Sequence, residues 1–202
     1  MALAGLDALH MSAQGKSTKR TPAQESHFLC SWMAESLKTK RFSKLVADDL
    51  SDWIRQGRSM GAGANLKALL AQIVMQYQAV EHKNTALGTA LHALVETLQQ
   101  ANWLTFTDTD IDTKLKLDSD GKMSLIVSAS ELKQHIQDGE LIKPITLFVR
   151  GDEQQLAKNA LEHGLLLSQG NKKTSLIKHH KAYRIVPNNQ QSALALLTTG
   201  KN

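Results

Sequence analysis

Arg55, Arg58, the glycine-rich run Gly57-Arg58-Ser59-Met60-Gly61-Ala62-Gly63 and Lys67 are the most suggestive chemical grouping in this chain. Glycines let backbone N–H groups close on an anion, and a helix that follows them offers its positive N-terminus. The ligand would be a phosphate. No Gly-Lys-Ser/Thr follows the run and no strand precedes it, so it is neither a Walker loop nor a dinucleotide fingerprint. A helix-to-helix connector carrying solvated arginines explains the same residues and is the commoner arrangement.

Two further basic groups stand out. Lys38, Lys40, Arg41 and Lys44 fall within seven residues, and Lys172, Lys173, Lys178, His179, His180, Lys181 and Arg184 surround the last expected hairpin. In the latter a helix is followed by a basic two-stranded ribbon, which could lie along a phosphate backbone. A solvated hairpin accounts equally for those charges, as does the exposed face of an amphipathic helix for the first group. Residues 41–70 are not a helix-turn-helix, because the glycine-rich link exceeds the usual turn.

The acidic residues give weaker signals. Asp108, Asp110, Asp112, Asp118 and Asp120 invite a calcium loop, but Thr113 and Ser119 stand where Gly and Glu are needed. Alternating aspartates more often keep an edge strand soluble. Glu131 and Lys133, after Asp118 and Asp120, follow the order of metal-dependent nucleases, in which carboxylates hold magnesium and lysine assists the water. That triplet also arises by chance. His179 and His180, adjacent on an expected strand, would face opposite ways and so not chelate one metal.

Cys30 is the single cysteine, so no intramolecular disulfide exists. It lies on an expected apolar helix face and reads as core packing, with His27 the one base at helical spacing. His-Glu-x-x-His and Cys-x-x-Cys are absent. Nothing calls for a cofactor.

The elements that must position these groups follow from periodicity. The 202 residues, 42% apolar and 21% charged, are globular in composition and long enough for one good core or two small ones. Twenty-four Lys plus Arg against 19 Asp plus Glu give a net charge of +5, which tilts partners toward nucleic acid or acidic proteins. No apolar run reaches the ~20 residues of a membrane helix and the N-terminus lacks a signal-peptide pattern, so a soluble cytoplasmic protein is expected.

Residues 1–21 hold a short amphipathic piece and a polar, basic stretch that reads as a flexible arm. Thr21-Pro22-Ala23-Gln24 is a capping box with proline at the first helical position. Helical spacing then joins Phe28, Leu29, Trp32, Met33 and Leu37, and again Phe42, Leu45, Val46, Leu50, Trp53 and Ile54. Gly57 to Gly63 is expected to break the helix. A third helix is expected over 65–77 and a fourth over 84–101, which makes 22–101 a helical region.

From Trp103 the pattern turns to strand. Expected strands cover 103–107, 114–117, 123–127, 144–149, 165–168, 175–178 and 182–186, with a hairpin turn at Asp118-Ser119-Asp120-Gly121. Helices are expected at 130–136 and from an Asp152 cap to His163, stopped by Gly164. After Pro187 the tail over 188–202 is Asn/Gln-rich, and 193–197 could form a docking helix. Val95 to Leu104 faintly echoes Ala157 to Leu166, each a helix running into a strand and hairpin.

Lys40-Arg41-Phe42, Val46-Ala47, Asp49-Leu50, Trp53, Gly57-Arg58-Ser59 and Gly61, with Lys143-Pro144 and Val149-Arg150-Gly151, resemble an uncharacterised gammaproteobacterial family of domain-of-unknown-function type. The resemblance spans about residues 22–187 and leaves the arm and tail outside. It implies a bacterial cytosolic protein and carries no activity or site residues.

The sequence therefore points to an α+β protein, a helical N-terminal bundle followed by a small mixed sheet over 102–187 with two or three helices. The leading functional expectation is a non-enzymatic binding protein that uses Arg55, Arg58, Lys67, Lys172, Lys173, Lys178, Lys181 and Arg184 on nucleic acid. The alternatives are a protein-interaction or structural adaptor and a metal-dependent nuclease. No membrane partner is expected.

Overall fold

The computed structural model describes residues 1–14, 19–81, 83, 85–111, 113–114, 121–169, 176–191 and 193–198. The fold is α+β, with helices first and a small mixed sheet after them. Two compact units divide the chain, Met1–Tyr77 and Gln78–Asn202.

The first unit is built on α1 (Ala2–Met11), α2 (Pro22–Lys38), α3 (Ala47–Met60) and the start of α4 (Leu66–Glu81). The capping box opens α2: Thr21 accepts from the Gln24 N–H, and the Gln24 side chain accepts from the Thr21 N–H at 2.9 Å. Leu29, Met33, Leu50, Leu66 and Leu70 are fully buried, each worth about 1.5–3 kcal/mol of hydrophobic stabilisation. On α1, Gly5 lies against Leu70 and Trp32, so the first helix packs where a larger residue would clash.

The helix break comes later than the glycines suggest. Gly57 sits inside α3, buried, where an added Cβ would stand 3.0 Å from Leu66 Cδ1 and 3.3 Å from Cys30 Cβ. It is there for close helix contact. The chain turns only at Gly61, whose φ of 55° needs glycine, and a 3-10 turn over Gly61–Ala64 leads into α4.

In the second unit, α5 (Leu87–Gln100), β1 (Leu104–Phe106), β2 (Ser124–Val127), α6 (Ala129–His135), β3 (Ile136–Gln137), β4 (Glu140–Leu141), β5 (Ile145–Arg150), α7 (Glu153–Glu162), β6 (Ser168–Gln169) and β7 (Lys181–Ile185) follow one another. The sheet order is β1-β2-β5-β7-β6. Every pair is antiparallel except β1 with β2. The parallel pairing of β1 with β2 requires a crossover between them rather than a tight turn. Residues 115–117 of the expected 114–117 strand, and Asp118, Ser119 and Asp120 of its turn, lie outside the described residues.

Alternation splits the sheet into two faces. Leu125, Val127, Ile145, Leu147, Val149, Tyr183 and Ile185 form the main core with Leu91, Leu94 and Leu98 of α5 and Leu156 and Ala160 of α7. Ile126, Phe148 and Ala182 face the other way and pack with Ile111 and Ile177. β3 and β4 form a separate two-residue hairpin, turned by Asp138 (φ 51°) and Gly139 (φ 80°) in the positive-φ pattern such hairpins prefer.

Three helices end alike. After α2, α5 and α7 the residues Lys40, Asn102 and Gly164 take positive φ, and Arg41, Trp103 and Leu165 each donate back to the carbonyl five residues earlier. This is the Schellman motif. The echo between Val95–Leu104 and Ala157–Leu166 is this shared cap, and it goes no further. Of the expected 165–168 strand only Ser168 joins the sheet, in β6, and residues 193–197 are not helical but bridge Ser168 through Ala195. Leu196 N–H donates to the Leu167 carbonyl, which explains why the apolar run prefers that backbone to a helix.

Candidate functional site

The expected phosphate grouping lies wholly in the first unit. Arg55, exposed on α3, pairs with Asp52 at 2.6 Å, and Lys67, in the first turn of α4, pairs with Glu25 at 2.7 Å. Arg58 is exposed near the end of α3. Ser26 donates its hydroxyl to the Gly61 carbonyl at 2.6 Å, tying the turn to α2. A pocket of about 330 Å³ is lined by Pro22, Glu25, Asn65, Lys67 and Ala71. Its wall carries one carboxylate and one ammonium already joined.

The third basic group lies in the second unit. Lys172 and Lys173 fall outside the described residues. Lys178 is exposed in a turn, Lys181 pairs with Glu153 of α7, and Arg184 is exposed on β7 opposite Thr146 and Ser168. His179 and His180 precede β7 rather than lying in it. His179 is exposed, whereas His180 is buried with Ser124 within 2.8 Å of its Nε2.

The acidic candidates serve the backbone. Glu131 Oε2 accepts from the Thr146 N–H at 2.7 Å and Asp110 Oδ1 from the Ser130 N–H at 2.7 Å, so each satisfies a strand or helix start. Asp112, Asp118 and Asp120 are outside the described residues. Among the described residues no three His, Cys, Asp or Glu side chains stand close enough to share a metal ion. Cys30 is buried, with its sulfur 3.5 Å from the Ile54 carbonyl, while His27 is exposed.

The remaining basic group, Lys38 to Lys44, acquires partners that spacing alone hides. The Arg41 guanidinium lies over Trp32 at 5.5 Å and over Phe42 at 5.6 Å, and those two rings are 5.7 Å apart at an angle of 50°. Arg20 lies over Phe28 at 4.5 Å. Phe28 and Trp32 are four residues apart on α2, hence on one side of the helix and about 6 Å apart along it. Both rings are half-buried, as is Phe42, while Lys38, Lys40, Arg41 and Lys44 are exposed. Helical spacing assigns Phe28 and Trp32 to the core, yet Leu29 and Met33 beside them fill it. A usable signal was Lys-x-Lys-Arg-Phe-x-Lys at residues 38–44, in which an aromatic interrupts a cationic run.

Lys40 adds a second unusual feature. The left-handed position of a Schellman cap favours glycine, and an L-residue there costs about 1 kcal/mol. Lys40 occupies it with φ 52°. The cap brings Lys40 and Arg41 to the C-terminal end of α2, where the helix dipole favours cations.

The family model that the chain matches is described as a protein of unknown function (DUF2913), and the match spans residues 1–198. The chain belongs to this family. No curated protein and no solved structure matches it. The DUF2913 match begins before residue 22 and ends after residue 187, so it takes in α1 and the tail that the shorter resemblance left out. Both are integral to their units: α1 packs through Gly5, and the tail bonds to Leu166 and Leu167. Among the described residues no helix is long and apolar enough to cross a membrane.

Proposed function

We propose that this DUF2913 protein is a non-enzymatic binding protein that holds nucleic acid on the basic surface of its first unit. The observation that supports the reading is the Arg41 guanidinium over two aromatic rings, in a run of four exposed cations with no acidic residue between Glu35 and Asp48. Phosphates supply affinity through lysine and arginine, and they would be drawn to this run. Arg58, exposed in the same unit, is a further contact, while Lys178 and Arg184 are exposed in the second unit and would meet phosphate there separately. Lys172 and Lys173 belong by charge with that second-unit group. Arg55, Lys67 and Lys181 already have carboxylate partners, but exposed ion pairs contribute only about 0–1 kcal/mol and a phosphate can replace the carboxylate.

The test is fluorescence anisotropy with a labelled oligonucleotide across a salt series. Affinity should fall steeply as salt rises, and replacing Lys38, Lys40 and Lys44 together by Gln should weaken binding and flatten that dependence. Binding that ignores salt, or none at low salt, overturns the proposal. A partner protein captured without nucleic acid would favour the adaptor reading instead.

A further inference from the structure

We infer that the nucleic acid held by the first unit is single-stranded, with an unpaired base stacking on the surface made by Arg41, Phe42 and Trp32. The inference rests on the proposed function and names its ligand class. A surface built for duplex phosphates needs lysines and arginines and has no use for rings, because the faces of paired bases are hidden in the stack. Here the rings are part of the basic surface. Arg41 is exposed and lies against both Trp32 and Phe42, which are themselves only partly buried. A guanidinium and an aromatic ring are both flat surfaces on which an unpaired base can stack.

The arrangement extends along α2. Phe28, four residues before Trp32, carries Arg20 over its ring, so two cation-ring pairs follow one another on one side of the helix. Arg20 is fixed in turn by Ser12 at the end of α1, whose hydroxyl and carbonyl both accept from it. Single-strand sites combine a positive track with successive stacking rings, which is the combination found here. Glu35, exposed on the last turn of α2 three residues after Trp32, is an acidic side chain on that helix.

The experiment compares a labelled oligothymidylate of roughly 16 nucleotides with a duplex of the same length, against the full chain and two variants of one position. Phe42→Ala removes the ring, and Phe42→Leu removes its π-face while keeping apolar bulk, so that a folded variant is available. Single-strand affinity should exceed duplex affinity, and either variant should lower it by roughly 5- to 150-fold, the range for losing one stacked base, with duplex binding unchanged. Glu35→Gln should strengthen binding of both. If strand and duplex bind equally and Phe42→Leu changes neither, while the lysine triple variant weakens both, this inference fails and the nucleic-acid reading stands. If neither probe binds at low salt, both fail together.

Discussion

His180 Nε2 lies 2.8 Å from Ser124 Oγ, a buried bond between the turn before β7 and the start of β2. The other ring nitrogen is 3.0 Å from the Lys178 carbonyl, which can only accept, so Nδ1 carries the proton and Nε2 receives the serine hydroxyl. The pair has the reach of a nucleophile and its base, but Ser124 has no exposed surface and the bond is structural. Burial lowers the His180 pKa below its ordinary 6.5, the Lys178 carbonyl opposes this, and the charges of Arg150 and His179 add to the lowering.

A pH dependence of stability follows. Because the folded pKa is the lower one, the unfolded chain takes up a proton first as pH falls. Stability from this group is complete above about pH 6.5 and is lost as pH drops from there toward the lowered folded value. Urea unfolding of the wild type and of His180→Gln at a series of pH values should show this part of the slope in the former alone. An identical slope in both assigns the acid sensitivity elsewhere.

Lys40→Gly separates folding from binding. Glycine takes the left-handed cap without penalty, so the variant should be more stable by about 1 kcal/mol. It should nonetheless bind nucleic acid more weakly and with a salt slope shallower by about one unit, since one cation is gone. Thermal melting and the salt series read the two effects. A variant no more stable than wild type would mean that Lys40 makes compensating contacts.

Gly88 cannot be enlarged. The Thr89 N–H in the first turn of α5 donates to the Gly139 carbonyl at 3.0 Å, so the β3–β4 hairpin caps this helix from a distance. A Cβ on Gly88 would stand 2.6 Å from that carbonyl oxygen, which is backbone and cannot swing aside. Gly88→Ala should cost on the order of 3 kcal/mol, measured as the shift of the urea midpoint. A loss under about 1 kcal/mol would show that the hairpin lifts freely.

Asn189 should matter as much as a core residue. Its Oδ1 accepts from the Leu166 N–H at 3.0 Å and its Nδ2 donates to the Gly164 carbonyl at 2.9 Å, so one amide serves two groups of a buried, strand-free segment. Gln191 adds a bond to the Leu166 carbonyl at 2.7 Å. Asn189→Ala leaves two backbone groups unpaired and should cost about 2 kcal/mol. Asn189→Asp should recover part of this, because one oxygen still faces the N–H.

Much of the fold was legible because its signals are local. The Thr21 box, the Asp152 cap and the Gly164 stop each need only a few neighbouring residues, and each stands where its residues suggest. Gly57 misled because a glycine weakens an isolated helix, whereas here the missing Cβ admits Cys30 and Leu66. The 193–197 run misled because apolar content does not reveal that the Leu167 carbonyl is waiting for a donor. The basic segment was legible as charge, and Phe42 was visible within it. That Phe28 and Trp32 join it was not, since a helix period marks a face without saying whether neighbours cover it.

Composition and period thus sufficed for an α+β chain with a basic balance, because propensity, capping and alternation act within about ten residues. Three-dimensional packing decided the rest: that β1 runs parallel to β2, that His180 meets Ser124 across 56 positions, and that Arg20 and Arg41 settle on rings of α2. The first two are relations between distant residues, and the third needs the chain to turn back on α2 at each of its ends, so their energies appear only once the chain has folded.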